Sequence, residues 1–283
     1  MSNHPAIASG RAAVVTGAAS GIGRAAAERF ADLGMKVCMA DVNEAALNAA
    51  VDSVARRAGR QGEVFGVPTD VSRRADVERL KARAYGAFGA VDLLMNNAGR
   101  GGGGQLFDSV DAWQAIIDTN LWGVVHGVQL FAPAMVEQKT PSAIVNTGSK
   151  QGITCPPGNT AYNVSKAGVK VATEALAHEL RNIEGCRVSA HLLIPGFTFT
   201  GITSATPGAE KPAGAWTASQ VIDFMLTAMA QGNFYILCPD NDVTRDMDEK
   251  RMQWAADDII GNRPALSRWH PDFKDVFAKY MAS

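Results

Sequence analysis

Short apolar runs alternate with longer segments of helical period from about residue 11 to residue 240. Apolar runs of roughly 4–8 residues bounded by turn residues are typical of strands buried on both faces. Parallel strands need crossover connections, which are usually helices. The pattern therefore predicts an α/β fold with a parallel, doubly wound sheet. Its seven strands are expected at residues 12–15, 36–40, 63–67, 91–95, 143–149, 187–194 and 234–238.

The segments between these strands predict helices on both faces of the sheet. Residues 73–88, for example, have many charges along one side and apolar residues along the other, as an amphipathic helix does. The predicted helices lie at residues 24–33, 43–58, 73–88, within 111–137, from 162 to about 183, 217–231 and 244–260.

A glycine-rich turn joins the first strand to the first helix. Gly17, Gly21 and Gly23 follow the spacing G-x-x-x-G-x-G. Gly17 allows a tight turn, Gly21 lets the backbone approach a pyrophosphate, and Gly23 permits close packing of the helix. Because the turn follows a strand and opens a helix, it predicts a dinucleotide-binding site.

Asp41 ends the second strand, 18 residues after Gly23. A carboxylate there can accept hydrogen bonds from the adenosine ribose hydroxyls and would repel a 2′-phosphate. The usual basic discriminators are missing, since Ser20 precedes the second glycine and Val42 follows the acid. The sequence therefore favours NAD over NADP. An N-cap for the helix at 43–58 is the alternative role for Asp41, and the two roles are compatible.

Tyr162 and Lys166 are four residues apart, so in a helix their side chains project from one face. A phenol has a reference pKa of about 10, and a neighbouring cation favours the phenolate. Lowering that pKa by about three units requires ~4 kcal/mol, which a lysine and a cationic nicotinamide ring could supply in a sheltered site. The spacing alone also fits a solvated lysine on a helix flank. Ser149 lies at the carboxyl end of the fifth strand, where α/β sheets bind their ligands.

Together, Ser149, Tyr162 and Lys166 resemble the catalytic residues of the classical short-chain dehydrogenase/reductase family. The glycine spacing, the Asn-Asn-Ala-Gly segment at residues 96–99 and the Pro-Gly turn at residues 195–196 resemble the same family and occur in its order. Extended members, which include epimerases, have G-x-x-G-x-x-G instead. The resemblance implies a Rossmann-like, doubly wound, seven-stranded parallel sheet of order 3-2-1-4-5-6-7.

The resemblance also implies roles for individual residues. Asn120 would support a water-mediated proton relay to the lysine, and Asp70 would cap the adenine pocket. Thr198 would lie near the nicotinamide amide and Thr200 near the phosphates. The implied catalytic residues are Asn120, Ser149, Tyr162 and Lys166, and the implied cofactor-binding residues are Gly17, Ser20, Gly21, Ile22, Gly23, Asp41, Asp70, Val71, Asn97, Ala98, Gly99, Tyr162, Lys166, Pro195, Gly196, Thr198 and Thr200.

The bulk composition is that of an ordinary globular enzyme. The 283 residues suffice for one large α/β domain, with a core at about 11–240 and a helical C-terminal extension at about 241–283. A net charge of −1 gives no reason to expect nucleic acid or an anionic membrane as partner. Residues 1–10 lack the regions of a signal peptide, which favours the cytoplasm.

The four cysteines, Cys38, Cys155, Cys186 and Cys238, are widely spaced and form no C-x-x-C pair. This spacing predicts buried thiols rather than a disulfide framework, and no metal site is expected. Cys155 lies near the candidate site, but nothing around it in the sequence marks it as a nucleophile.

Three segments are expected to shape the substrate pocket. The glycine run at 101–104 fits a mobile rim of the site or, equally, a plain flexible connection. Residues 151–158 should line the pocket, and residues 197–216 suit a lid. The lid has large apolar members and no arginine, so a neutral and fairly apolar substrate is expected.

The extension also affects the expected assembly. In the family, the last helix and the final strand form one of two common tetramer contacts, and residues 241–283 would alter that contact. The helices carrying Asn120 and Tyr162 could still form the other contact. A homodimer or a homotetramer is therefore expected.

These patterns predict an enzyme that transfers a hydride reversibly between NAD and a secondary alcohol or its ketone. An NADPH-dependent ketoreductase would have the same site and differ only at the ribose. A redox sensor that binds the dinucleotide without turnover normally lacks the tyrosine or the lysine, and both are present here. A dehydratase or epimerase would be expected to show the other glycine spacing.

Overall fold

The computed structural model of the chain describes residues 3–59, 63–102, 104–203 and 210–283. Nine strands run through these residues, most of them short and rich in buried apolar side chains. In chain order they are β1 (Ala12–Thr16), β2 (Lys36–Asp41), β3 (Val64–Pro68), β4 (Leu93–Asn96), β5 (Ser142–Thr147), β6 (Val188–Ile194), β7 (Thr198–Phe199), β8 (Trp216–Thr217) and β9 (Tyr235–Leu237).

Seven of the strands form one parallel sheet in the order β3-β2-β1-β4-β5-β6-β9. This confirms the predicted order, in which β9 is the seventh strand of the sheet. The two-residue strands β7 and β8 pair only with each other and lie outside the sheet. The order reverses between β1 and β4, and sheets of this type bind ligands in the crevice outside the carboxyl ends of the strands at such a point.

Ten helices accompany the strands within the described ranges, and they cover both faces of the sheet. They are α1 (Gly21–Asp32), α2 (Glu44–Ala58), α3 (Arg74–Phe88), α4 (Val110–Ile117), α5 (Gly123–Glu137), α6 (Gln151–Thr154), α7 (Thr160–Arg181), α8 (Ala218–Ala230), α9 (Arg245–Ile260) and α10 (Lys274–Ala282).

The central strand β1 is buried on both sides, as its uninterrupted apolar run predicts. Ala13 and Val15 point into a core that contains Phe30 of α1 and extends to α2 and α8. Val14 points to the opposite face, into a core that contains Phe131 of α5 and extends to α3 and α7. Successive strand residues alternate between faces, so a strand covered on both sides needs apolar residues throughout.

The helix predicted within 111–137 differs from expectation in one respect. Residues Asp118–Trp122 form a π-helical turn between α4 and α5. Asn120 lies within this turn and is fully buried. Such turns are common at functional sites and leave no mark in the hydrophobic period.

The C-terminal extension folds around Trp254 of α9, which is 3% exposed. The indole nitrogen of Trp254 donates a hydrogen bond to Ser267 Oγ at 2.7 Å. The Arg263 guanidinium lies 4.1 Å from the indole ring, and the Phe277 ring of α10 lies 5.1 Å away. The predicted helix at 244–260 is confirmed as α9, whereas the assignment of core and extension to one domain stays a prediction.

The cysteines and the apolar character of the helices complete the description of the fold. All four cysteines are free thiols; Cys38 and Cys238 are buried, but Cys155 and Cys186 are only half-buried, so the prediction of burial is right for two of them. None of the helices in the described ranges is long and apolar enough to cross a bilayer.

Replacing Trp254 by alanine should destabilise the protein, because the change removes a buried aromatic ring and leaves Ser267 without its indole donor. The expected loss is ~3–5 kcal/mol of unfolding free energy, measured by urea denaturation. Ile259→Ala on the same helix is the control, because Ile259 is 86% exposed and should change stability by less than ~0.5 kcal/mol. Equal effects of the two substitutions would contradict a core centred on Trp254.

Candidate active site

The glycine turn after β1 has a backbone conformation that residues other than glycine rarely adopt. Gly17 and Gly21 have φ values of 65° and 54°, in the left-handed region that favours glycine. A Cβ on Gly23 would lie 2.2 Å from the Gly17 carbonyl oxygen, so no side chain fits there. Helix α1 begins at Gly21, and the Ser20 side chain does not cap it. The first turn of α1 therefore forms a helix N-terminus suited to an anion.

Asp41 connects the end of β2 to this turn. Its carboxylate accepts hydrogen bonds from the Ala19 amide at 3.1 Å and the Asn43 amide at 3.0 Å. The N-cap of α2 is Asn43, whose side chain accepts from the Ala46 amide at 3.1 Å. The alternative role of Asp41 as N-cap is therefore wrong, because Asp41 lies two residues before the capping position.

Asn97 ties together the carboxyl ends of three strands. Its side-chain nitrogen donates to the Thr16 carbonyl at 3.1 Å, and its side-chain oxygen accepts from Thr147 Oγ1 at 3.3 Å. The amides of Asn97 and Ala98 both donate to Thr16 Oγ1, at 3.0 and 3.1 Å. β1, β4 and β5 are thereby fixed relative to one another at the edge where the predicted site lies.

Tyr162 and Lys166 lie on the same side of α7, as their spacing predicts. The ammonium of Lys166 is 5.8 Å from the centre of the Tyr162 ring and donates a hydrogen bond to the Thr147 carbonyl at 2.8 Å. Lys166 is buried, so the alternative of a solvated lysine is wrong. Ser149 follows β5, and its Oγ accepts a hydrogen bond from the Gln151 amide at 3.2 Å.

The pKa of Tyr162 in the chain alone is governed by burial, whereas the predicted lowering depends on Lys166 together with a cationic nicotinamide ring and stays a prediction. Burial raises the pKa of the Tyr162 phenol, and the neighbouring Ser149 hydroxyl offsets only part of that effect. Burial also lowers the pKa of Lys166 to about 8. The Lys166 ammonium is hydrogen-bonded to a backbone carbonyl rather than to the phenol, and burial is the main influence on the pKa of Tyr162.

Asn120 is held by backbone groups on one side and by α7 on the other. Its Oδ1 accepts from the Arg100 amide at 2.8 Å, while its Nδ2 donates to the Arg100 carbonyl at 3.0 Å and to Ser165 Oγ at 3.1 Å. A Cβ on Gly99 would lie 3.4 Å from Asn120 Oδ1 and 3.7 Å from Lys166 Nζ. The side chains of Asn120 and Lys166 therefore both lie close to Gly99. The water-mediated relay between them stays a prediction.

The predicted residues meet at two adjoining cavities of about 510 and 520 Å³, which share Gly17, Asp41 and Gly99. Neither Gly23, which packs against the glycine turn, nor the buried Asn120 lines them. The second cavity adds Asp70, Val71 and Ala98. The first cavity is lined, among the predicted residues, by Gly17, Ser20, Gly21, Ile22, Asp41, Asn97, Gly99, Ser149, Tyr162, Lys166, Pro195, Gly196, Thr198 and Thr200.

Thr198 and Thr200 follow the Pro-Gly turn and line the first cavity. Thr198 is buried and donates from Oγ1 to the Gly196 carbonyl at 3.1 Å. The side chain of Thr200 lies 3.3 Å from the position that a Cβ on Gly21 would occupy. Thr200 therefore lies against the glycine turn, where the resemblance places the phosphates.

The rim and the lid are in contact. The Gly104 carbonyl accepts from the Ala161 amide at 2.9 Å, which ties the rim to the start of α7. A Cβ on Gly101 would lie 2.9 Å from the side chain of Ile202 in the lid. The parts of these predictions that fall on residues 103 and 204–209 lie outside the described residues.

One charged residue of the first cavity was not predicted from the sequence. Lys150 lines the first cavity directly after Ser149 and forms ion pairs with Asp240 and Asp248. The only available signal was a lysine beside a strand-end serine. Its acidic partners lie about 90 residues further along the chain, and no periodicity connects them.

The donor set fits an extended dinucleotide. The glycine turn packs directly on the segment after β4, since a Cβ at Gly17 would lie 2.7 Å from the Ala98 α-carbon. Asp41 supplies a carboxylate to both cavities, and Lys166 supplies a buried ammonium to the first. Gly21 and Ile22, at the N-terminus of α1, line the first cavity as well.

Residues 11–211 match the family described as short chain dehydrogenase. Since this span covers most of the chain, the chain belongs to the short-chain dehydrogenase family, whose members are oxidoreductases that bind a nicotinamide cofactor. A 1-deoxy-11-beta-hydroxypentalenate dehydrogenase of Streptomyces avermitilis is 32% identical over 247 residues, which cover 86% of this chain and 89% of that protein.

Two further relatives extend this comparison. A CLA biosynthesis dehydrogenase/reductase of Lactiplantibacillus plantarum is 35% identical over 191 residues, which are 66% of this chain and 65% of that protein, so the match spans slightly less than two thirds of its length. The crystal structure of a short-chain dehydrogenase/reductase from Burkholderia phymatum in complex with NAD has a TM-score of 0.81 and 40% identity, and the match covers 91% of this chain and 96% of that chain.

Gly23→Ala should abolish dinucleotide binding, because the added methyl group would overlap the Gly17 carbonyl and displace the turn. Quenching of protein fluorescence on titration with NADH measures the binding. Gly86→Ala in the exposed part of α3 is the matched control, since a Cβ there meets nothing within 4 Å. That control should bind NADH normally and gain ~0.5–1 kcal/mol of stability. Normal binding by Gly23→Ala would show that the turn is not the site.

Proposed function

We propose that this chain catalyses reversible hydride transfer between NAD and a secondary alcohol or its ketone. The main support is that Ser149, Tyr162 and Lys166 line the same cavity as the glycine turn and Asp41. A proton-transfer group and a candidate dinucleotide cradle thus share one space. The relatives from Streptomyces avermitilis and Burkholderia phymatum support the same reading, since one is named a dehydrogenase and the other is a complex with NAD.

In this reaction the chain supplies the proton chemistry. Bound NAD would supply the hydride acceptor and a positive charge on its ring. Tyr162 takes the proton of the alcohol hydroxyl, and the Ser149 hydroxyl donates a hydrogen bond to the oxygen that develops negative charge. The hydrogen bond from Lys166 to the Thr147 carbonyl fixes the lysine ammonium, which lies beside the Tyr162 phenol.

The raised pKa of Tyr162 bears on the direction of the reaction. Above its ordinary value, this pKa keeps the phenol protonated at neutral pH, which is the form that donates a proton to a ketone oxygen. In the direction of alcohol oxidation the phenol must first lose its proton. The lysine charge and the ring charge of the oxidised cofactor would both favour that loss, and Lys166, with a pKa of about 8, is mostly charged at pH 7.

NAD is the proposed cofactor rather than NADP. The carboxylate of Asp41 is fixed by two backbone amides and lines both cavities. In that position it would accept hydrogen bonds from ribose hydroxyls, whereas a phosphate on the ribose would meet a like charge.

The proposed substrate is a neutral, fairly apolar alcohol or ketone. Phe197 and Ile202 supply apolar surface to the first cavity. Lys150 is a cation in its wall, but its charge is paired with two carboxylates, so it does not favour an anionic substrate.

The proposed assembly is a homodimer or a homotetramer in the cytoplasm. Exposed apolar side chains on and beside the two long helices, Trp122, Val164 and Val171, support a contact between subunits there.

Tyr162→Phe should leave NADH affinity nearly unchanged and remove turnover, because it deletes only the hydroxyl that transfers the proton. The absorbance of reduced nicotinamide is followed with a panel of alcohols and ketones, first to identify the substrate and then to measure the rate of turnover. Tyr235→Phe is the control, since Tyr235 is 51% exposed, bonds to Glu174 and lines neither cavity. Turnover by Tyr162→Phe would exclude this tyrosine as the acid–base group.

Asp41→Ala should weaken NADH binding ~10-fold to 100-fold and narrow the preference for NADH over NADPH, because it removes a charged hydrogen-bond acceptor. Dissociation constants for both dinucleotides test this. Asp52→Ala, which removes an exposed carboxylate on α2, should leave both constants unchanged. If the ratio of the NADPH and NADH dissociation constants is unaltered in Asp41→Ala, a group other than Asp41 selects the cofactor.

A further inference from the structure

A charged cluster joins the C-terminal extension to the loop that carries Ser149. Lys150 Nζ lies 2.6 Å from a carboxylate oxygen of Asp248 in α9 and 3.4 Å from one of Asp240, which follows β9. The side chain of Lys150 is 17% exposed, and those of the two aspartates are 4% exposed. Lys150 lines the first cavity together with the candidate catalytic groups Ser149, Tyr162 and Lys166, whereas neither aspartate lines it.

Stability alone gives little reason for such a cluster. Each buried charge costs several kcal/mol of lost hydration, and the mutual attraction roughly offsets that cost. What the shared lysine does provide is a fixed geometry, because a movement of Lys150 would leave two buried carboxylates unpaired in a site of low dielectric. Here the fixed geometry is that of the Ser149 loop and the Pro-Gly turn in the candidate active site.

On one side the cluster sets the position of Ser149. The Ser149 carbonyl accepts from the Gly152 amide at 3.0 Å, and Ser149 Oγ accepts from the Gln151 amide at 3.2 Å. Lys150 lies between these groups, at the start of the four-residue helix α6. Holding the Lys150 side chain against α9 therefore holds the turn that orients the serine hydroxyl.

On the other side the cluster supports the Pro-Gly turn. The Asp240 oxygen that faces Lys150 also accepts from the Phe197 amide at 3.0 Å. A Cβ on Gly196 would lie 2.7 Å from that oxygen and 3.0 Å from Lys150 Nζ, so the turn packs directly on the charges. The other oxygen of Asp240 accepts from the Val243 amide at 2.8 Å, which fixes the chain as it enters the extension.

We infer that Lys150, Asp240 and Asp248 are positioning residues through which the C-terminal extension holds the Ser149 loop and the Pro-Gly turn in their working geometry. The inference rests on the proposed function, because it takes Ser149 as the group that touches the substrate oxygen. It makes residues 241–283 part of the catalytic apparatus rather than an appendage. The rival role for Lys150, as a receptor for an anionic substrate, would require a charge that is not already paired with two carboxylates.

Asp248→Asn in the full chain is the main test. The substitution keeps the size of the side chain and leaves Lys150 its pair with Asp240, so the fold should persist. Hydrogen exchange of the α6 amides, measured without substrate, should speed up ~10-fold as the Ser149 turn loosens. kcat should fall ~10-fold or more, since small misplacements of reacting groups are costly, while KM changes less than ~3-fold. Lys150→Met should give larger effects of the same kind, and Lys150→Arg should restore part of the loss.

Glu249→Gln is the matched control, because it breaks an exposed ion pair with Arg245 one residue further along α9. It should change neither the exchange rates nor kcat. If exchange at α6 is unchanged in Asp248→Asn, or if kcat is unchanged in a folded Lys150→Met, the inference is wrong. A raised KM for a carboxylate-bearing alcohol with unchanged kcat in Lys150→Met would likewise overturn it in favour of an anion receptor.

The exchange measurement separates this inference from the proposed function. Faster exchange at α6 in Asp248→Asn, with no turnover of any alcohol or ketone by the unaltered protein, would support the coupling and contradict the proposed reaction. Normal turnover with unchanged exchange would support the reaction and contradict the coupling.

Discussion

The side chain of Asn97 is the contact on which the site depends, because it bonds to the end of β1 and the end of β5 from its own position after β4. These three ends carry the glycine turn, the Asn-Asn-Ala-Gly segment and Ser149. Parallel strands have no tight turns to fix their ends, so side-chain bonds of this kind determine how closely the loops above them approach one another. The same bonds hold Ala98 so near Gly17 that a Cβ on Gly17 would lie 2.7 Å from the Ala98 α-carbon.

Much of the fold and of the site could be predicted because both depend on local signals. Buried parallel strands must be apolar throughout, and this pattern predicted the strand at 12–15. The order of the strands in the sheet was predicted from the resemblance to the family. The glycines at 17, 21 and 23 are dictated by positive φ and by close backbone approach, both of which exclude a side chain. The spacing of Tyr162 and Lys166 placed them on one face because the period of a helix is fixed.

The features that escaped prediction depend on distant or collective effects. The π-helical turn around Asn120 shifts the helix by one residue without altering its apolar character. The cluster of Lys150 with Asp240 and Asp248 joins segments about 90 residues apart. Nothing in the sequence around either aspartate distinguishes it from an aspartate on the surface. The upward effect of burial on the pKa of Tyr162 was not predicted, because the extent of burial cannot be seen in the sequence, whereas the neighbouring cation can.

The pairing of β7 with β8 has a consequence for how this pocket can diversify. The chain leaves the sheet after β6, and its outgoing and returning segments are pinned together by Thr198–Phe199 and Trp216–Thr217 before α8 begins. Closing a longer loop between pinned ends costs only ~0.6 kcal/mol for each doubling of its length. The loop between them can therefore grow, shrink or change composition under selection for new molecules while the strand ends that carry Ser149 and the glycine turn stay unchanged.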